Sequence, residues 1–142
     1  MSTESFQIVR QMEALPEEVT AITDILNEHS QKIGLKWSQV PLSVVLRDDA
    51  GSIVGGLTGS TNWGWLHVDL LAVSEDVRGA GAGSALLAAA EDIARERGCG
   101  YSYLDTFSFQ ALGFYEKHDY EIFGVLDDFP TGAQRYFLRK KL

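Results

Sequence analysis

Apolar positions recur along this chain at two different periods, and each change of period marks an element. Residues 6–10 (FQIVR) alternate like a strand. Val19, Ile22, Leu26 and Ile33 then recur at helical spacing behind Pro16, with Glu17 and Glu18 where a helix dipole favours acids. That pattern predicts an amphipathic helix from 16 to about 32. Residues 34–41 are irregular. Residues 42–47 and 52–58 read as strands on either side of the turn Asp48-Asp49-Ala50-Gly51, and Thr61-Asn62 marks the next turn. Residues 63–73 are long for a strand, which predicts a bend or bulge. The alternation there puts Leu66, Val68, Leu70 and Ala72 on one side and Trp65, His67, Asp69 and Leu71 on the other. Residues 84–97 form an alanine- and leucine-rich helix with Leu86, Leu87, Ala90, Ile93 and Ala94 on its buried stripe, stopped by Gly98. Residues 101–106 read as a strand and 109–117 as a short helix, with Ser108 as its N-cap. The last two strands, 120–125 and 135–139, form a hairpin around residues 126–133.

This order, β-α-β-β-β-α-β-α-β-β, predicts a mixed α+β domain over residues 1–142. Its central sheet should be mostly antiparallel, of about seven strands, flanked by helices and holding at least one parallel crossover. The length suits one core. An apolar fraction of 45% with 11% aromatics excludes a disordered chain. A net charge of −8 argues against nucleic acid or an anionic membrane as partner, and no apolar run reaches membrane-spanning length. The N-terminal residues lack the pattern of a signal peptide, so a cytoplasmic protein is expected. The single cysteine, Cys99, lies between two glycines and reads as a buried structural thiol.

The densest signal is Val73-Ser74-Glu75-Asp76-Val77-Arg78-Gly79-Ala80-Gly81-Ala82-Gly83-Ser84, between a strand and a helix start. Glycines at 79, 81 and 83 remove the side chains that would keep an anion from the loop's N–H groups and the helix N-terminus. Arg78 adds a planar cation that matches phosphate. A bland reading is a turn that only permits close packing. A dinucleotide fingerprint would need G-x-G-x-x-G, whereas Gly79, Gly81 and Ser84 end that pattern in serine. The third reading is a coenzyme A pyrophosphate loop.

Arg78-x-x-Gly81-x-Gly83 resembles the R/Q-x-x-G-x-G/A signature of the GNAT family of N-acetyltransferases. A second block is similar to that family's late strand and helix: Leu104-Asp105-Thr106, Ser108-Phe109-Gln110-Ala111 and Gly113-Phe114-Tyr115-Glu116-Lys117. The resemblance spans roughly residues 42–142. One departure is Asp119, where relatives often carry glycine before the aromatic; Asp tolerates the left-handed backbone such a helix end requires.

The resemblance implies a GNAT-type acyl-CoA N-acyltransferase fold with acetyl-CoA as co-substrate, an amine acceptor and no metal. Backbone groups of Leu71 and Val73 would meet the acyl and pantetheine parts. Arg78, Gly79, Ala80, Gly81, Ala82, Gly83 and Ser84 would hold the pyrophosphate, with no room for a side chain at Gly83. Tyr115 matches the family tyrosine that protonates the departing sulfur, and a phenol keeps its proton at neutral pH; its plainer role is packing beside Phe114. His67 or Asp69 would take the amine's proton, or both simply face solvent. Asp127 and Asp128 in the last hairpin, with Trp37 opposite, would draw in a cationic amine, unless the two carboxylates only serve their turn. His29 and His118 read as surface or capping residues. The alternative to an enzyme is a degenerate acyl-CoA-binding sensor or interaction module. Monomer and homodimer both remain open.

Overall fold

A computed structural model describes residues 5–142, which divide into two compact units, one running to Trp37 and one from Ser38 to Leu142. The first unit carries α1 (Pro16–Lys32), with Pro16 in its first turn and Glu17 and Glu18 beside it. It ends where Gly34 takes φ +82° and Leu35 N–H returns to the Ser30 carbonyl. The strand expected at residues 6–10 is absent. A five-residue alternation shows only that a segment could pair, and a strand exists only where a neighbour takes up its backbone groups. The chain instead ties back locally, with Gln11 Nε2 donating to Glu18 Oε1 at 2.9 Å.

The second unit contains β1 (Val40–Arg47), β2 (Ile53–Asn62), β3 (Trp65–Val73), α2 (Ala82–Glu96), β4 (Tyr101–Phe107), α3 (Leu112–Lys117), β5 (Glu121–Asp127) and β6 (Gln134–Lys141). A single 3-10 turn, Glu75–Val77, precedes α2. The strands form one sheet in the order β1-β2-β3-β4-β6-β5, six rather than about seven. Every neighbouring pair is antiparallel except β3 with β4. α2 is the crossover that the parallel pair requires. Its buried Leu86, Leu87, Ala90 and Ala94 join Leu42, Leu57, Leu66, Val68, Leu104 and Leu138 in one core, with Ile93 half-buried against it. Each fully buried leucine contributes about 1.5–3 kcal/mol of transfer free energy. Arg97 clamps the end of α2 to the sheet, donating to the carbonyls of Val40 and Pro41 and to Thr61 Oγ1, each at 3.1 Å.

Two boundaries moved for identifiable reasons. The β2–β3 turn falls at Trp63 (φ +48°) and Gly64 (φ +83°), not at Thr61-Asn62. Two left-handed residues in a row make the turn that suits the twist of a tight hairpin. α3 begins at Leu112, not 109, and Ser108 is not its cap: Ser108 Oγ accepts from Gln134 N–H at 3.1 Å, tying β4 to β6.

The bulge expected in the long strand is at Asp69. Thr58 pairs with Leu70 and Gly59 with Val68, which leaves Asp69 without a partner on β2. The extra residue reverses the alternation. Leu66 and Val68 face the core before it; Leu71 and Val73 pack against the core after it, while Leu70 is 64% exposed. The sequence reading, which kept Leu70 and Ala72 with the buried set, is corrected on this point. Gly59 makes the bulge possible, because a Cβ there would collide with the carbonyl oxygen of His67. Gly59→Ala is therefore expected to lower stability by about 2–3 kcal/mol in denaturant melts. A melting curve that matches wild type would show that the bulge does not need this glycine.

Candidate functional site

β3 and β4 pair over only three positions, Trp65 with Tyr101, Leu66 with Ser102 and His67 with Tyr103. Beyond them the strands part, and a cleft of about 790 Å³ opens between Asp69–Val73 on one side and Asp105 and Thr106 on the other. Its volume falls within the range of small-ligand sites. The free edge of β3 faces this cleft. Ser74 N–H bonds to the Val54 carbonyl, so alternate residues back along the strand turn their backbone groups toward β2. Leu71 and Val73 therefore turn theirs toward the cleft. Arg78 supports this reading: its Nε donates to the Val73 carbonyl at 3.0 Å.

The glycine loop closes one end of the cleft. Gly79 and Gly81 adopt φ +83° and +79°, with Gly81 as the N-cap of α2. Alternating left-handed residues make successive N–H groups converge. The first helical bond here is Ala85 N–H to the Gly81 carbonyl. Among the described residues, the N–H groups of Gly79 to Ser84 have no protein acceptor. Six donors at a helix start, beside a mostly exposed Arg78 guanidinium, can converge on an anion. Gly83 also packs against α3: a Cβ there would meet the Phe114 ring at 3.4 Å, an ordinary contact, so a larger branched side chain rather than a single methyl would press on that ring. Ser84 Oγ is bonded to His118 Nε2 at 2.9 Å, which ties the loop to the end of α3. Asp119 has φ +69°, and Tyr120 N–H bonds the Tyr115 carbonyl, the helix ending that the sequence implied for an Asp in place of Gly.

Tyr115 reaches the same cleft from α3 and is only 7% exposed. Its hydroxyl has no hydrogen-bond partner among the described residues, and no buried polar side-chain atom there is left unsatisfied. The hydroxyl must therefore be open to the cleft. Burial pushes its pKa up from the usual phenol value, and the negative charge of Asp105 pushes the same way. The neighbouring Tyr120 is also raised, above all by burial. It lies in a closed network, donating to Glu91 Oε2 at 2.9 Å and bonded to Ser102 Oγ at 2.8 Å, with Lys140 Nζ 3.0 Å from Glu91. Cys99 is buried and its thiol is pushed up by desolvation, as a structural cysteine should be.

Other sequence candidates lie elsewhere. Asp69 lines the cleft at the bulge. His67 does not; its ring stacks on Tyr103 at 4.6 Å, beside Trp65. Asp127 Oδ1 accepts from Gln134 Nε2 at 3.0 Å and Asp128 Oδ1 from Gly132 N–H at 3.4 Å, so both carboxylates serve the hairpin. Trp37 falls in the first unit, outside the unit that carries the cleft. Sequence reasoning passed over Asp105, Thr106, Phe109 and Gln110 as site residues, yet all four line the cleft. Asp105 and Thr106 lie near the end of β4, beside which the cleft opens, and the sequence pattern alone marks neither.

The family model described as "Acetyltransferase (GNAT) family" matches residues 9–120. A blasticidin-S acetyltransferase of Streptomyces morookaense is 46% identical over 95 residues, covering 66% of this chain and 70% of that protein. An acetyltransferase of Agrobacterium fabrum is 42% identical over 100 residues, covering 70% and 73%. The crystal structure of an acetyltransferase from Bacillus cereus superposes with a TM-score of 0.84 at 37% identity, over 94% of this chain and 98% of the other.

The raised phenols predict an alkaline stability loss. A group whose folded pKa lies above its unfolded value of about 10 contributes stability that is complete below that pH. That contribution is lost as pH climbs toward the folded value. Absorbance at 295 nm should therefore show part of the tyrosine ionisation arriving together with loss of the circular dichroism signal above pH ~10. Full ionisation of all five tyrosines with the fold intact would contradict the burial of Tyr115 and Tyr120.

Proposed function

The chain belongs to the acetyltransferase (GNAT) family and is an N-acetyltransferase; from that premise we propose that acetyl-CoA gives up its acetyl group to direct attack by a primary amine, with Tyr115 as general acid. The observation that carries this reading is the unpartnered hydroxyl of the largely buried Tyr115, which lines a cleft whose opposite wall is the unpaired edge of β3. Acetyl-CoA supplies a thioester, whose acyl carbon is open to nitrogen attack.

The remaining chemistry is done by this chain's own groups. The N–H groups of Gly79, Ala80, Gly81, Ala82, Gly83 and Ser84, with Arg78, bind the pyrophosphate. Leu71 and Val73 offer backbone groups on which the pantetheine arm adds as a short extra strand, and the Leu71 N–H is a donor for the thioester oxygen. Tyr115 delivers its proton to the departing sulfur; its raised pKa keeps that proton in place through the neutral range. Of the two candidate bases, Asp69 is favoured because it lines the cleft, whereas the His67 ring is stacked on Tyr103. The blasticidin-S acetyltransferase relative supports a small-molecule acceptor rather than a protein. That acceptor is a cationic amine in this reading. The family match crosses from one unit into the other, which supports a single domain over residues 1–142.

Free-thiol release from acetyl-CoA, measured across a panel of primary amines, tests the activity. Tyr115→Phe should then lower kcat by ~10²-fold, the lower end for general acid catalysis, with acetyl-CoA affinity nearly unchanged. Unchanged turnover, with product release shown not to limit the rate, would reduce Tyr115 to packing. Arg78→Ala should weaken acetyl-CoA binding in calorimetry by roughly tenfold, the scale of one charge-assisted hydrogen bond. An unaltered Kd would remove Arg78 from the pyrophosphate site.

A further inference from the structure

The parallel register carries one more residue into the reaction. Two positions beyond the last β3–β4 pair, His67 with Tyr103, stand Asp69 on β3 and Asp105 on β4. They are the first carboxylates on either side of the point where the strands separate, and both line the cleft. Asp105 differs from Asp69 in being held. Arg135 donates through Nε to Asp105 Oδ2 at 2.7 Å, and its Nη2 lies 2.7 Å from the same oxygen. The guanidinium is fixed in turn by three aromatic rings, Phe107, Phe129 and Phe137, at 5.4, 4.9 and 5.2 Å from its carbon. All of this rigidity is spent on one oxygen. The other, Oδ1, accepts no hydrogen bond among the described residues, although the side chain is only 23% exposed.

A carboxylate with one oxygen clamped and the other open, in a cleft with a general acid, is a directional acceptor for an N–H group. We propose that Asp105 is the docking carboxylate for the acceptor amine: Oδ1 takes an N–H of the incoming ammonium and sets its nitrogen beside the thioester, with Asp69 across the gap. The inference rests on the amine-acetylation reading above and names the residue that would select a cationic acceptor. Arg135 holds Asp105 through Oδ2 alone, so the anionic Oδ1 is presented in a fixed direction, and Asp69 adds a second negative charge across the gap. Asp105 and Tyr115 line the same cleft, so the docking carboxylate and the acid share one site.

The test compares two acceptors of the wild-type enzyme, an alkyl primary amine charged at pH 7 and an aromatic amine neutral there. Asp105→Asn keeps the shape of the side chain and a partner for Arg135. It should raise KM for the charged amine roughly 10- to 100-fold, the scale of one lost charge-assisted hydrogen bond. KM for the neutral amine and the calorimetric Kd for acetyl-CoA should move less than about threefold, within the context scatter of such effects. A KM unmoved for the charged amine, with only kcat reduced, would overturn the proposal and leave Asp105 as a positioning residue for Tyr115. Should Asp105→Asn fail to fold, the wild-type protein with free CoA still decides: adding the charged amine must shift the carboxylate carbon resonance of Asp105, and no shift at saturating amine refutes docking there. Absence of thiol release with every amine would sink the acetylation reading itself. Release with an unmoved KM would sink this inference alone.

Discussion

The separation of β3 from β4 after three paired residues is the constraint on which the rest of this structure depends. A parallel pair that ran its full length would bury the backbone groups of Leu71 and Val73 in a ladder and leave no cleft. The separation begins at Asp69, where an extra residue bends β3, and the bend needs Gly59 opposite because any Cβ there meets the His67 carbonyl. One bulge thus accompanies a gap within a sheet that stays continuous through the three β3–β4 pairs. It also reverses the alternation, so Leu71 and Val73 anchor the strand on the core while their backbone groups face outward.

Around that gap three independent devices converge. The loop from Gly79 to Ser84 brings six N–H groups and a helix start to one end. α3 brings a buried phenol whose environment holds its proton. β4 brings a carboxylate clamped on one oxygen only. The closed network of Tyr120, Ser102, Glu91 and Lys140 lies on the core side and keeps the base of α3 fixed against α2 and β6. Its polar atoms are fully used, which marks it as support. The unpartnered Tyr115 hydroxyl and Asp105 Oδ1 belong to residues that line the cleft.

Much of this was legible in the sequence. Period and turn residues gave α1, the β1–β2 hairpin, α2 and the last hairpin, because each is a local pattern with its own start and stop signals. The glycine loop was legible because left-handed backbone at 79 and 81 demands glycine almost regardless of context. The bulge was foreseen from strand length, but not its position, since only the register against β2 reveals which residue is extra. Residues 6–10 misled because pairing is a property of two segments and the sequence shows one. The Trp63-Gly64 turn escaped because tryptophan carries no turn signal of its own. Asp105 escaped for a similar reason: it looks like any strand residue until β6 places Arg135 beside it, 30 positions away in sequence.

Amide hydrogen exchange of the protein with and without acetyl-CoA tests the central claim most directly. If the gap between β3 and β4 is the coenzyme site, protection should rise at Leu71, Val73 and the amides from Gly79 to Ser84, whose N–H groups lack protein acceptors in the free chain. The β1–β2 and β5–β6 ladders should exchange as before. Binding that protects those outer ladders and leaves 71, 73 and 79–84 unchanged would contradict the account.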